Sequence, residues 1–293
     1  MPENKIPDIK LNNGVKMPAL GFGTAMISQE EMQVVINGAL DAGYRYFDCA
    51  PAYGNQAGVC KALLSSGARR EELFISTKLP GAERGYEKTL SAFEAVCKEM
   101  GLDYLDFYAI HLPQLDFDAN AQSWKAMEKL HNEGRIRSIG LSSFMEVHID
   151  HILDICEIPP QADLLECNPF FTNTPVRDYC ASKGIHVISW FVLGGPPVLR
   201  RPIDVKEHPR LLENERLISI ARDHGKTPSQ IALRWSIQRG TTALIKASRP
   251  EHMRENLGVF DFDLSDVEMG RIEALNYDRR FGLDPMASTS LHP

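Results

Sequence analysis

Apolar residues recur along this chain at two spacings that take turns. Short runs of alternating or continuous apolar character occur at LGFGTA, YRYFDCA, ELFISTKL, LDFYAIHL, IRSIGLSS, ADLLECNP, HVISWFVL and TALIKA, eight in all. Between them the apolar positions fall three and four residues apart, in SQEEMQVVINGALDAG, QAGVCKALLSSG, EKTLSAFEAVCKEMG, SWKAMEKLHNEG, VHIDHILDICE, VRDYCASKG and TPSQIALRWSIQRG. The first spacing belongs to strands and the second to amphipathic helices. Ser28, with Glu31 three residues on, is placed to cap the first helix, and Gly43 to stop it. Asn13-Gly14 between the short runs of IKLNNGVKM marks a β-hairpin ahead of the alternation.

Strand and helix exchanged eight times predict an α/β fold, a closed parallel (β/α)8 TIM barrel. It would occupy residues 1–293 as one domain, with an N-terminal hairpin and an extra C-terminal helix at LSDVEMGRIEALNY. No shift in composition marks a second domain. Two stretches exceed what a barrel needs. GGPPVLRRPIDVKEHPRLLENE reads as a long loop after the seventh strand, leading into a helix. The polar end MASTSLHP, residues 286–293, reads as disordered. Active sites of parallel barrels lie where strand C-termini open into loops, so the long loop is on that face. A substrate cover and a plain surface excursion both fit it.

Composition narrows the function classes. A hydrophobic share of 43% with 24% charged residues is ordinary for a globular protein. The net charge of -7 comes without a basic stripe, which argues against nucleic acid as a partner. The six cysteines are scattered with no CxxC pair, so they read as small buried hydrophobes in a reduced compartment, and no zinc site is expected. MPENKIPDIK carries no apolar leader, and no apolar run reaches membrane-spanning length. A cytoplasmic protein without a membrane partner is the expectation.

The barrel reading gathers unusual polar residues at one face. The second strand ends at Asp48, with Tyr53 in its loop; LFISTKL brings out Lys78, and FYAIHLP brings out His111. Singly, each has a bland explanation: packing for the tyrosine, a structural hydrogen bond for the histidine, an ordinary ion pair for Lys78 and Asp48. Together they make a proton donor. A phenol titrates near ~10, and a neighbouring ammonium favours the phenolate while burial opposes it. Asp48 would hold Lys78 charged, and His111 would orient and polarise a substrate oxygen. Such a set suits protonation of an oxygen that turns negative as hydride reaches its carbon. The hydride needs a nicotinamide carrier. GFGTAM lacks the third glycine of GxGxxG, since Met26 stands there, so a Rossmann fold is not expected.

GYRYFDCAPAYGNQ, DFYAIHLP, GRIRSIGLSSF and IKASRPEHMRENLGVFDFDLS resemble signatures of the aldo-keto reductases, NADPH-dependent barrel enzymes. The resemblance runs from about Ile9 to Pro285 and leans towards the prokaryotic-type aldehyde and keto-acid reductases. It implies that Asp48, Tyr53, Lys78 and His111 form the catalytic tetrad, in agreement with the roles argued above. It also implies that Gly23, Thr24, Ser142, Ser143, Trp190, Leu193, Lys246, Ser248, Arg249, His252, Glu255 and Asn256 bind the cofactor. Ser143 stands where the family has Asn, and Leu164 where it has a Gln. Trp190 replaces a Tyr stacked on the nicotinamide; stacking is the favoured reading and core packing the other. Lys246 and Arg249 suit a 2'-phosphate, although a solvated charge at a helix start also accounts for Arg249.

His252 replaces an Arg, so NADPH is expected with NADH accepted more readily than in a typical member. Pro80 and Leu112 replace two Trp residues. The pocket is expected to be less aromatic, lined by Phe22, Met26, Pro80, Leu112 and the loop around Pro196 to Arg201. Arg200 and Arg201 could attract an anionic substrate, but surface solvation fits them better. Gln56 and Cys60 replace a Glu and a Gly with structural effect. The function implied is reversible reduction of a small-molecule aldehyde or ketone by a monomer. A nicotinamide-sensing barrel with little turnover and a reductase of activated C=C bonds are the alternatives, and His111 argues for the carbonyl.

Overall fold

A computed structural model of the chain describes residues 5–114, 116–195 and 210–286. It opens with an antiparallel hairpin, β1 (Asp8–Lys10) and β2 (Lys16–Pro18), in which Ile9 faces Met17. The Asn13-Gly14 turn forms as the sequence indicates, with Gly14 at φ 87°. Asn13 accepts from the Val15 amide at 3.1 Å and donates to the Arg137 carbonyl at 3.0 Å, which pins the hairpin beneath the barrel.

Eight parallel strands close on themselves: β3 (Leu20–Gly23), β4 (Tyr46–Asp48), β5 (Phe74–Leu79), β6 (Leu105–Ile110), β7 (Ile136–Ser142), β8 (Ala162–Glu166), β9 (His186–Trp190) and β10 (Thr242–Ile245). β10 pairs with both β9 and β3, which completes the ring. Each strand coincides with one of the eight apolar runs. Side chains alternate between two apolar cores, as a pleated strand requires. Tyr46, Phe74, Phe107, Ala109, Ala162, Leu164, Ile188 and Leu244 fill the barrel together with Leu11 and Met17 of the hairpin region. Phe47, Ile75, Tyr108, Ile110, Ile139, Leu141 and Leu165 face the helices. Glycine makes room for the large inner rings: a Cβ on Gly140 would lie 2.2 Å from Phe107, and one on Gly21 2.6 Å from Tyr46.

The outer layer is α1 (Met32–Ala42), α2 (Gln56–Ser65), α3 (Tyr86–Met100), α4 (Phe117–Asn132), α5 (Glu146–Ile155), α6 (Thr174–Ser182), α7 (Glu215–His224), α8 (Pro228–Gln238), α9 (Pro250–Leu257) and α10 (Asp266–Glu273). The last of these is the expected C-terminal helix. Gly43 ends α1 in the left-handed region at φ 115°, but α1 starts at Met32 and not after Ser28. Ser28 accepts from the Glu31 amide at 3.3 Å within a turn that precedes the helix, so the capping chemistry forms one turn early. All six cysteines are free, five of them buried. No helix among the described residues is long and apolar enough to cross a membrane. The Pro- and Arg-rich loop from Pro196 through Arg201 and the tail after Met286 lie outside the described residues.

Candidate active site

Parallel pairing delivers the ends of β4, β5 and β6 to one rim. Asp48 is in register with Ser76, and Lys78 with Ala109, so Lys78 stands two residues beyond the aspartate's partner on the same inward face. Its ammonium reaches back to both Asp48 oxygens, Oδ1 at 2.8 Å and Oδ2 at 2.7 Å, and donates to the Cys49 carbonyl at 2.8 Å. Ser76 donates to Asp48 Oδ1 at 2.7 Å. Asp48 and Lys78 are each only 3% exposed. Three acceptors for three ammonium protons is the condition under which a buried ion pair persists. Burial pulls the Lys78 pKa down, but Asp48 and Tyr53 together outweigh it and hold the ammonium above its ordinary range.

Tyr53 ends a single 3-10 turn, Pro51–Tyr53, stopped by Gly54 at φ 66°. Proline fixes the entry to the turn and glycine supplies the left-handed exit. The Lys78 ammonium lies 5.4 Å from the centre of the Tyr53 ring. Desolvation is the largest influence on the phenol and raises its pKa; Lys78 lowers it, and Asp48 adds to the rise. The side chain keeps some surface, yet crowding outweighs the cation, so Tyr53 holds its proton at neutral pH. Asn55 fastens this loop to the neighbouring one, donating to the Thr24 carbonyl at 2.9 Å and the Ile27 carbonyl at 3.2 Å. Thr24 in turn donates through Oγ1 to the Asp48 carbonyl at 2.8 Å.

His111 follows β6 directly and extends its ladder, its amide donating to the Leu79 carbonyl at 3.2 Å. Strand parity continues from Phe107 and Ala109, which turns His111 toward the barrel axis. Arg84, nearly buried, donates to the Leu112 carbonyl and to Asn120, and Gln114 donates to the Gly81 carbonyl at 2.7 Å. The loops carrying Pro80 and Leu112 are thereby tied together. Desolvation pushes Arg84 down to about 9.

Along the rest of the rim, Ser142 ends β7 almost buried, and Ser143 follows in the left-handed region at φ 61°. The Ser143 amide donates to the Leu164 carbonyl at 2.8 Å, while the Leu164 side chain packs inside the barrel. Trp190 ends β9, half-buried, with its ring 4.6 Å from that of Phe191. Gly23 ends β3, and Leu193 packs between two apolar clusters. Lys246, Ser248, Arg249 and His252 are exposed on the β10–α9 connection and the first turn of α9. Exposed cations and a hydroxyl around a helix N-terminus are a donor set that fits a phosphate. His252 Nδ1 lies 3.6 Å from Glu255, which also accepts from Thr227 Oγ1 at 2.6 Å. Asn256 is buried on α9, beneath the exposed His252 and beside the half-buried Glu255.

Of the pocket candidates, Met26 stands 72% exposed on the rim at φ 60°, and Pro80 and Leu112 are partly covered. Phe22 is a correction. It is fully buried on the outer face of β3, with its ring 5.2 Å from that of Tyr44 and 5.9 Å from that of Phe47. The inward positions of β3 are Gly21 and Gly23, so parity turns Phe22 away from the mouth. Two further residues brace the site. Ser76 is legible in the sequence, since it sits two residues before Lys78 on one face. Asn55 acts through partners distant along the chain and carries no local signal.

A profile described as "Aldo/keto reductase family" matches residues 19–277. Morphine 6-dehydrogenase of Pseudomonas putida is 39% identical over 284 residues, covering 96% of this chain and 95% of that protein. Glyoxal reductase of Bacillus subtilis (strain 168) is 38% identical over 286 residues, covering 97% and 98%. Among solved structures, an aldo-keto reductase from a Medee basin deep-sea metagenome library superposes with a TM-score of 0.89 at 34% identity, covering 96% of this chain and 100% of that one.

Proposed function

The chain belongs to the aldo/keto reductase family, and on that premise we propose that it reduces aldehydes or ketones reversibly to alcohols, preferring NADPH and taking the proton from Tyr53. The observation that carries this reading is the buried Asp48–Lys78 pair beside the Tyr53 ring. Bound NADPH would supply the hydride equivalent. Lys246, Ser248 and Arg249 would hold its 2'-phosphate end. Ser142, Ser143 and Trp190 would meet the nicotinamide, and the exposed donor set at α9 supports the fit.

The chain's own residues would handle the proton and the developing charge. Burial keeps the proton on Tyr53 at rest, which makes the phenol an acid ready to donate. As the carbonyl oxygen gains negative charge, Tyr53 transfers its proton, and the phenolate left behind faces a permanently charged Lys78. Asp48 fixes that ammonium in place. His111 donates to the same carbonyl oxygen and aims it at Tyr53. Pro80 and Leu112, half-open on the rim, leave room for a substrate without an aromatic sandwich. Small dicarbonyls, in keeping with the glyoxal reductase relative, are the first substrates to try.

The test is NADPH consumption across reactive aldehydes, ketones and dicarbonyls, for wild type and Tyr53→Phe. Turnover falling by about a hundredfold or more in the variant supports the assignment. A variant that turns over normally removes Tyr53 from the chemistry. A wild type that binds NADPH yet reduces nothing favours the sensing alternative.

A further inference from the structure

Glu166 takes no part in the chemistry above, yet it is the second carboxylate buried at the rim. It ends β8, is wholly inaccessible, and is the register partner of Trp190 in β9. Its two oxygens accept from consecutive amides far along the chain: Oε1 from Phe281 and Oε2 from Gly282, each at 2.7 Å. Bonds of this length from two amides to one carboxylate are charge-assisted and hold position as well as energy. Burial pushes the Glu166 carboxyl up, and the Phe281 and Gly282 amides with Arg280 pull it partly back.

The captured segment is seated on three sides. Gly282 has no space for a side chain, because a Cβ would lie 2.6 Å from Trp190 Cη2 and 2.9 Å from Glu166 Oε2. Phe281 packs into the apolar cluster of Phe170 and Leu211, and covers Gly195, where a Cβ would meet its ring at 3.1 Å. Arg280 lies 4.6 Å over the ring of Phe171. The C-terminal segment is therefore a strap whose backbone touches the far edge of the Trp190 indole.

We infer that Glu166 is a positioning residue for the nicotinamide site: by tying Phe281 and Gly282 down, it backs the Trp190 ring and fixes the face on which the nicotinamide stacks. The inference rests on the stacking role proposed above for Trp190. Without the strap, the indole edge loses its stop and the ring is free to turn. The adenosine end of the cofactor, bound at α9, would not sense the change.

Two variants attack the contact from opposite sides. Glu166→Gln keeps the volume but turns an amide NH2 toward a backbone N–H, and Gly282→Ala forces a methyl onto the indole in a segment outside the barrel. Affinities for NADPH and for 2',5'-ADP, which lacks the nicotinamide, are measured by calorimetry on each full-length protein. Both variants should weaken NADPH by about tenfold and leave 2',5'-ADP within about twofold. Trypsin should cleave after Arg279 or Arg280 faster in Glu166→Gln than in wild type. An unchanged ratio of the two affinities in either folded variant overturns the inference, as does an equal loss of both. A wild type that binds neither ligand instead defeats the cofactor reading.

Discussion

The Lys78 ammonium meets both carboxylate oxygens of Asp48, at 2.8 and 2.7 Å, in a pair almost wholly shielded from water. Pairs of this kind are costly to break from one side, since the survivor keeps its desolvation cost without its partner. Asp48→Asn should destabilise the fold by about 3 kcal/mol. The double variant Asp48→Asn/Lys78→Met, which buries no charge, should recover most of that. Urea unfolding of the single and double variants measures the coupling; additive losses would contradict it.

In the proposed mechanism the proton on Tyr53 sets a pH dependence. Its pKa lies above the usual phenol value because burial exceeds the help from Lys78. Reduction should be level through neutrality and fall only above pH ~10, where the acid form is lost. Lys78→Met removes the stabilising cation, moves that limb to still higher pH, and lowers the rate at every pH. A pH–rate profile of kcat for both proteins tests this.

Ser143 sits at φ 61°, a region that asparagine tolerates better than serine. Ser143→Asn should raise stability by roughly 0.5 kcal/mol by relieving the backbone. It should also tighten NADPH through an added amide. Thermal melts and cofactor titration read the two effects separately.

Asp163 is buried on the outer face of β8, with no hydrogen-bond partner for either carboxyl oxygen among the described residues. Desolvation raises its pKa well above the carboxylate range. The native state thus keeps a proton that the unfolded chain releases near pH ~4. Stability falls as pH rises from there toward the native pKa, and the loss stays in force above it. Asp163→Asn removes the titration, so it should be more stable than wild type at pH 7, by about 1 kcal/mol, and equal near pH 3. Denaturant melts at the two pH values decide it.

His252 is exposed and faces Glu255 at 3.6 Å. His252→Arg would add a permanent bidentate donor beside the proposed 2'-phosphate site. The ratio of kcat/KM for NADPH over NADH should rise about tenfold, with little change for NADH.

The barrel is legible because each strand is a short apolar run bounded by turn residues, and because Asp48 ends one strand, Lys78 stands one residue before the end of the next and His111 directly follows a third. Parity along a strand carries equal information, and Phe22 is the case in point: glycines at 21 and 23 mark the inward face, so Phe22 packs outward. Other features were invisible for a physical reason. Nothing local announces that Glu166 will meet Phe281 and Gly282, or that Asp163 will be buried without a partner. Those outcomes depend on what the closed ring brings together. α1 starts later than the Ser28 cap predicts because Ser28 satisfies its capping chemistry in a separate turn.

The hairpin gives the molecule a floor. Leu11 and Met17 plug the lower end of the barrel with the same apolar layer that holds Tyr46, Phe74 and Phe107. The opposite end, where Asp48, Lys78 and His111 gather at the strand C-termini, is the mouth. On the proposed reading, cofactor, substrate and product would all pass through it.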